Sequence, residues 1–190
     1  METLTDLRAD FEQRSNRSMS LPIAGAIVWL IVAVLSTVLP LSAAVFALVF
    51  ATGGIFPLGL LIAKLRNEDL LTNPNPLAKL MGTCVLMVNL LWALHIPLLI
   101  TAPIFVPLSL GVGLGLHWMV YSWIIGHPLG YLHAILRTAG LVTAWFLFPS
   151  NVVTACAVVV VAAYCVTLFQ MATRPAVDNS FKPKLLRGTG

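Results

Sequence analysis

The sequence predicts an all-α protein, a polytopic bundle of six transmembrane helices, and its composition is the first reason. Of the 190 residues, 59% are hydrophobic and only 9% are charged. Soluble domains carry about 25% charged residues, so most of the surface of this chain is expected to face lipid. The second reason is that Asp, Glu, Lys and Arg are absent from three long stretches. These are residues 18–63, 80–136 and 138–173.

The lengths of these stretches set the number of helices. A helix that crosses the hydrocarbon core, about 30 Å thick, needs about 20 apolar residues. The first stretch therefore accommodates two helices, and the other two together accommodate four. Pro40, Pro97 and Pro149 mark turns, because proline interrupts a helix. The predicted helices are 21–39, 41–63, 77–96, 102–125, 129–148 and 151–171.

The helices divide the chain into three parts. The parts are a cytoplasmic N-terminal tail (1–20), the transmembrane domain (21–172) and a cytoplasmic C-terminal tail (173–190). In the first tail Leu4, Leu7 and Phe11 recur at helical spacing, which predicts a short amphipathic helix on the membrane surface. The second tail is polar and contains Pro175 and Pro183, so it is predicted to be irregular.

The basic residues predict the orientation. With six helices, all 11 Lys and Arg residues fall on one side, and the turns on the other side have none. Lys and Arg accumulate in cytoplasmic loops, so both termini are predicted to be cytoplasmic. The net charge of +4 then indicates attraction to the anionic headgroups of membrane lipids. Basic residues do not alternate with aromatic ones in a stripe, so no nucleic-acid partner is expected.

The cysteines predict neither a cofactor nor a disulfide framework. Cys84, Cys156 and Cys165 are odd in number, lie in apolar runs and have no C-x-x-C spacing. Small, buried packing residues are the ordinary role of such cysteines. The histidines have no metal-ligand spacing either, so no metal is expected.

The segment 117–137 contains the candidate site. His117 and Tyr121 are four residues apart on the fourth helix, and His133 and Arg137 are four residues apart on the fifth. Residues at this spacing share a helix face. If the two helices pack antiparallel, the four side chains are expected to line one polar cavity that faces the cytoplasm. Packing at the interface, a substrate or proton path and a metal site are the alternative roles.

Arg137 has three possible environments. Its long stem could carry the guanidinium to the headgroups by snorkelling. It could instead bond to backbone carbonyls, or it could bind an anion. A cavity containing this cation would prefer anions, headgroups or water to cations, because no acidic residue occurs within any predicted span.

Small residues and helix breakers mark the second and fourth helices. Gly111 and Gly115 place small residues at i and i+4, which allows close helix packing. Gly53, Gly54 and Pro57 are predicted to interrupt the second helix. Breaks of this kind either serve packing or expose backbone carbonyls to a substrate.

Residues 53–64 read GGIFPLGLLIAK. Together with the six-helix layout, this pattern resembles uncharacterised bacterial integral membrane proteins of the domain-of-unknown-function kind. The resemblance implies a bacterial cytoplasmic membrane and no activity. Residues 56–66 (FPLGLLIAKLR) also match residues 127–137 (HPLGYLHAILR) at seven positions, through either a duplication or a recurring way of ending a helix.

Two function classes are compatible with these sequence features. A transporter or channel for a small molecule or ion is favoured, with the segment 117–137 along its path. The alternative is a non-catalytic accessory or lipid-interacting membrane protein, and homo-oligomers are compatible with both. An intramembrane enzyme ranks last, because no nucleophile–base pair or metal triad is evident.

Overall fold

A computed structural model describes residues 2–174, in which every regular element is a helix and no β-strand occurs. The predicted C-terminal tail lies outside the described residues beyond Arg174. In several places two consecutive helices follow the same path and are separated only by a short break. We call such a pair, or a single unbroken helix, a run. The helices are α1 (Leu4–Arg14), α2 (Ser20–Leu35), α3 (Leu41–Gly53), α4 (Ile55–Arg66), α5 (Pro76–Leu90), α6 (Trp92–Thr101), α7 (Val106–Gly113), α8 (His117–Ile125), α9 (Leu129–Leu147) and α10 (Val152–Thr173).

After α1, the described helices form six runs: α2, α3–α4, α5–α6, α7–α8, α9 and α10. Hydrogen bonds between distant residues define the two ends of this bundle. At one end, Arg8 Nη2 donates to the Trp123 carbonyl at 2.6 Å, and Arg17 Nη2 donates to the Met171 carbonyl at 3.2 Å. We call this the basic end. At the opposite end Trp145 Nε1 donates to the Ile104 carbonyl at 3.0 Å.

The N-terminal tail contains a helix, α1, which packs against α5 and α8. Its first turn has a capping box, in which Thr3 and Asp6 bond to each other's backbone amides. Asn75 holds α1 to the bundle, because its amide nitrogen donates to the Leu7 carbonyl at 2.9 Å and to Asp10 Oδ2 at 2.8 Å. The Asn75 side-chain oxygen accepts from the Leu77 amide and so caps α5. One side chain thus joins α1 to the start of α5.

Glu68 joins the start of α2 to the loop that follows α4. Its buried carboxylate accepts hydrogen bonds from Ser18 Oγ at 2.7 Å, the Ser20 amide at 3.1 Å and Arg66 Nε at 2.6 Å. The Met19 amide and the Ser20 hydroxyl also donate to it. A negative charge at this position complements the positive N-terminal end of the helix dipole of α2.

Three described stretches are long and apolar enough to cross a membrane: Pro76–Thr101, Pro103–Ile125 and Pro149–Thr173. The pair α3–α4, bent by 41°, would be a fourth span. Helix α2 is apolar but has only 16 residues, or about 24 Å at 1.5 Å per residue. Helix α9 is long enough but less apolar, since it carries His133 and Arg137. The fold is therefore that of a membrane protein with three to four candidate spans.

The exterior of the bundle is apolar and its centre is closely packed. Val38, Phe50 and Ile100 are each at least 77% exposed, as expected of side chains that face lipid. In the middle, α10 buries Cys156 and Val160 completely and packs against α2 and α9. Helix α10 is thus the central helix of the fold.

The third predicted helix does not end at Pro97. The helix continues through Pro97 to Thr101, and its break lies at Leu91 instead. Membrane helices tolerate an internal proline, because nearby side chains bond to the backbone groups that it frees. Pro97 removes only the amide that would bond to the Ala93 carbonyl, and the Thr101 hydroxyl donates to the carbonyl of Pro97 itself at 2.8 Å in the last turn of the helix. The turn therefore falls at Ala102.

We predict that Glu68 gives the fold a pH-dependent stability. Burial alone would raise the pKa of Glu68, but the hydrogen bonds from Ser20, Ser18, Arg66 and Met19 outweigh it, so the pKa lies below its usual value of 4.5. The stabilisation is then present above pH 4.5 and is lost as the pH falls through the lowered pKa. Glu68→Gln should cost about 1–3 kcal/mol at neutral pH.

Thermal unfolding in detergent over an acidic pH series measures this effect. The gap in Tm between the wild type and Glu68→Gln should close as the pH falls below 4.5. Glu2→Gln, which removes an exposed carboxylate, is the matched control and should show no gap. A gap for Glu68→Gln that is the same at every pH would contradict the prediction.

Candidate functional site around Arg137

Arg137 lies on α9, eight residues after Leu129, or about 12 Å into the helix. The turn that begins α9 is held by Ser122, whose hydroxyl oxygen accepts from the amides of Gly130 at 3.0 Å and Tyr131 at 3.1 Å. A Cβ on Gly130 would lie 2.1 Å from the Trp118 carbonyl oxygen. The glycine therefore permits the close contact of α9 with α8 that aligns the rest of the site.

The main partner of Arg137 is a carbonyl that a helix break makes available. Helices α7 and α8 are separated at residues 114–116. In a continuous helix the Gly115 amide would donate to the Gly111 carbonyl, but here it donates to the Val112 carbonyl at 2.8 Å. The Gly111 oxygen instead accepts from Arg137 Nε at 2.7 Å. The break in the backbone thus creates the acceptor for the buried cation.

Two aromatic rings enclose the guanidinium. Its Cζ lies 5.4 Å from the centroid of Trp29 on α2 and 5.5 Å from that of Tyr164 on α10. Cations are attracted to aromatic faces at this distance, and more strongly where water is excluded. Arg137 is 0% exposed, which rules out the snorkelling arrangement. Of the three environments considered for Arg137, the structure shows the guanidinium bonded to a backbone carbonyl.

His133 is held in a defined tautomer beside Arg137. The Thr167 hydroxyl donates to the Ala163 carbonyl at 2.9 Å, and its oxygen lies 2.8 Å from His133 Nδ1. A hydroxyl has one proton to donate, so Nδ1 carries the proton of the imidazole and donates to Thr167. The unprotonated Nε2 then faces Arg137 Nη1 at 3.5 Å. A neutral histidine is thereby oriented to accept from the cation.

Trp118 connects the remaining predicted residues. Its ring stacks on His133 with centroids 4.4 Å apart, meets Tyr121 edge-on at 5.5 Å and lies 5.9 Å from His117. The structure therefore brings His133 and Arg137 into direct contact, and it places Tyr121 and His117 one side chain further away, against Trp118. We call Arg137, His133, Trp118, Trp29 and Tyr164 the arginine cluster.

The arginine cluster has spare hydrogen-bond donors and no acidic partner. Between residues 70 and 177 the sequence has no Asp or Glu, and none of the ion pairs among residues 2–174 involves Arg137. Among residues 2–174, no hydrogen-bond partner reaches four buried polar atoms: Arg137 Nη2, Trp29 Nε1, Trp118 Nε1 and His117 Nδ1. An excess of buried donors around a fixed cation is suited to bind an acceptor.

An open cavity of about 520 Å³ lies at the end of the bundle opposite the basic end. Residues of α10, the C-terminal part of α9 and the turn after α2 line it, among them Thr37, Ala144 and Thr154. It contains none of the four predicted site residues. No group of three or more His, Cys, Asp or Glu side chains within residues 2–174 is arranged to hold a metal ion.

The predicted helix-packing glycines lie against α9, and the predicted break in the second helix is present. A Cβ on Gly111 would lie 2.7 Å from Leu141 Cδ1, and one on Gly115 would lie 3.1 Å from Arg137 Cδ. The second helix is interrupted at Gly53-Gly54, three residues before Pro57, where α3 ends and α4 begins. A Cβ on Gly53 would meet nothing within 4 Å. The break there is a bend rather than a close contact.

Sequence analysis did not single out three members of the cluster: Trp118, Trp29 and Tyr164. Trp118 is 4% exposed, whereas Trp123, five residues later on the same helix, is 45% exposed. Trp29 and Tyr164 lie in the middle of predicted helices, whereas aromatic residues that anchor a protein at the membrane interface lie near the ends of helices. This position could have indicated a buried role for both residues.

An apolar exterior and three to four helical runs that are long and apolar enough to cross a membrane indicate a membrane protein. The chain belongs to the family of unknown function DUF7010, whose family model matches residues 4–174. This membership agrees with the resemblance to uncharacterised proteins of that kind. No curated protein and no solved structure matches the chain.

We predict that Gly111→Leu destabilises the protein, because a larger side chain would displace Leu141 and with it the contact of α7 with α9. Overpacking of this kind costs about 1–3 kcal/mol, and Tm should fall by about 2–4 °C for each kcal/mol. Gly82→Leu is the matched control, since a Cβ on Gly82 would meet nothing within 4 Å. Thermal unfolding in detergent that gave the same Tm for both variants would contradict the assignment.

Proposed function

We propose that the protein crosses the bacterial cytoplasmic membrane six times, with both termini in the cytoplasm. Two observations support this topology. The six described runs alternate between the two ends of the bundle, and α1, the start of α2 and the end of α10 meet at the basic end. All 11 Lys and Arg residues except Arg137 belong to that end or to the tails and loops assigned to it. Their positive charge would bind anionic headgroups there.

Cysteine labelling tests the topology. In a variant that lacks Cys84, Cys156 and Cys165, Leu70→Cys and Ser180→Cys should react with an impermeant reagent from the same side of the membrane. Ser150→Cys, in the turn before α10, should react only from the other side. Reaction of the first two positions from opposite sides would contradict six spans.

We further propose that the protein is a transporter or channel for a small molecule or ion. The observation that carries this proposal is the enclosed guanidinium of Arg137 without a carboxylate partner. A buried charge within a membrane is costly, and such residues commonly mark substrate or ion paths. Helix breaks accompany it at residues 114–116 and at Gly54. Discontinuous helices present backbone groups to substrates in many transporters.

The arrangement suggests how a substrate would be accepted. Arg137 holds the Gly111 carbonyl through Nε and keeps Nη2 free. A substrate acceptor atom at Nη2 would add a charge-assisted hydrogen bond without breaking the bond to Gly111. Movement of α7 against α8 at their break would open or close the approach to the cluster. The binding group is thus attached to the part of the fold best able to move.

A non-catalytic accessory or lipid-interacting protein is the second candidate. The observation that favours it is the close packing of the arginine cluster, in which Trp29 and Arg137 are both 0% exposed. In that function the cluster would only hold α2, α7, α9 and α10 together.

Osmotic swelling of proteoliposomes separates the two candidates. The probes are glycerol, glycine and potassium chloride with valinomycin. A transporter should admit at least one probe faster than protein-free vesicles, and Arg137→Gln should slow that entry by about tenfold or more, since a charge-assisted hydrogen bond contributes about 1.5–3 kcal/mol. Lys79→Gln, which removes an exposed cation, is the control. Equal rates with and without protein for every probe would contradict transport.

A further inference from the structure

We propose that the arginine cluster is a binding site for one monovalent anion of halide size. The first ground is charge. Arg137 is the one Lys or Arg residue in the segment from residue 80 to residue 173. No acidic residue lies between residues 70 and 177. Nε2 of the neighbouring His133 lies 3.5 Å from Arg137 Nη1, a contact in which only an unprotonated nitrogen can accept, so this imidazole adds no charge. The site therefore has one positive charge for a ligand to balance.

The second ground is the set of unused hydrogen bonds. Arg137 Nη2 and the indole nitrogens of Trp29 and Trp118 can only donate, and all three are buried with no partner within the described part of the chain. Trp29 contacts the guanidinium directly, and Trp118 contacts it through His133. His117 Nδ1 is a further unpartnered atom beside Trp118. A ligand that carries no proton satisfies donors of this kind, whereas an acid or an alcohol would also need acceptors.

The third ground is size. Trp29 is 0%, His133 1% and Trp118 4% exposed, so the cluster is enclosed on several sides by rings. The open cavity beside Thr37, Ala144 and Thr154 lies at the other end of the bundle and does not include these residues. An organic anion would need space for its carbon skeleton, and a single halide ion would not. The geometry thus selects the smallest monovalent anions.

This inference deepens the proposed transport function by naming the class of substrate, and as a substrate site it rests on that function. Binding can nevertheless be measured without transport. The full chain is purified in detergent, and chloride is replaced stepwise by gluconate at constant ionic strength. A ligand that binds only the folded protein stabilises it in a saturable way. Chloride should raise Tm by about 5 °C at saturation.

Variants that keep the rings and remove single donors make the test specific. Trp29→Phe and Trp118→Phe each remove an indole N–H, and each should reduce the chloride-dependent shift by more than half. Trp123→Phe removes an exposed indole outside the cluster and should retain the full shift. Arg137→Gln should abolish the shift, and should abolish the saturable part of the quenching of tryptophan fluorescence by iodide.

The outcomes separate this inference from transport. No saturable effect of chloride on the wild type, or an equal shift in all tryptophan variants, would overturn the anion site even if another probe enters proteoliposomes. A saturable shift that depends on Trp29 and Arg137 would support the site. If chloride then failed to enter proteoliposomes, the site would stand as a fixed structural one and transport of its ligand would be wrong.

Discussion

The hydrogen bond from Arg137 to the Gly111 carbonyl is the contact on which the centre of this fold depends. A cation placed this deep in an apolar bundle must be compensated locally, because lipid offers nothing in exchange. No acidic side chain among residues 2–174 pairs with Arg137, and the cation is compensated by a carbonyl dipole, a histidine nitrogen and two aromatic faces. Each belongs to a different helical run or to α9 itself. The cation can therefore be buried favourably only when these helices have packed together.

The small residues of α7 and α8 follow from that contact. The Gly111 carbonyl is available because the backbone breaks at residues 114–116, and the stem of Arg137 fits because Gly115 has no side chain. The same glycines that favour close helix packing in the sequence thus serve the cation as well. Packing and site formation, which sequence analysis treated as alternatives, use the same residues here.

Sequence patterns predicted the elements that depend on local chemistry. Charge-free stretches predicted helices that begin and end within a few residues of the observed ones, and the spacing of His133 and Arg137 predicted their shared face. The position of Pro97 misled, because a proline in a membrane helix need not end it. The choice of Gly111 as partner could not be predicted, since it depends on the register between α7 and α9. The same limit applies to Trp29, whose contact with Arg137 joins residues more than 100 positions apart.

The sequence match between residues 56–66 and 127–137 has a structural meaning that neither of its interpretations anticipated. The first segment ends helix α4 at Arg66, whereas the second starts helix α9. What they share is a small face: Gly59 lies against Leu21, and Gly130 lies against Trp118. A common way of ending a helix is therefore wrong as an explanation. The recurring feature is a small residue that brings the helix against its neighbour.

The basic end and the arginine cluster are linked through α2 and α10. Glu68 holds the first turn of α2 at Ser20, and Trp29 follows nine residues later, about 14 Å along the same rigid helix. At the other side, Arg174 pairs with Glu12 just after α10, which carries Tyr164. The two rings that face the guanidinium are thus placed by helices whose ends are anchored by charge. The Arg174–Glu12 pair is largely enclosed, with both side chains less than 10% exposed, so it is screened less than a surface ion pair would be.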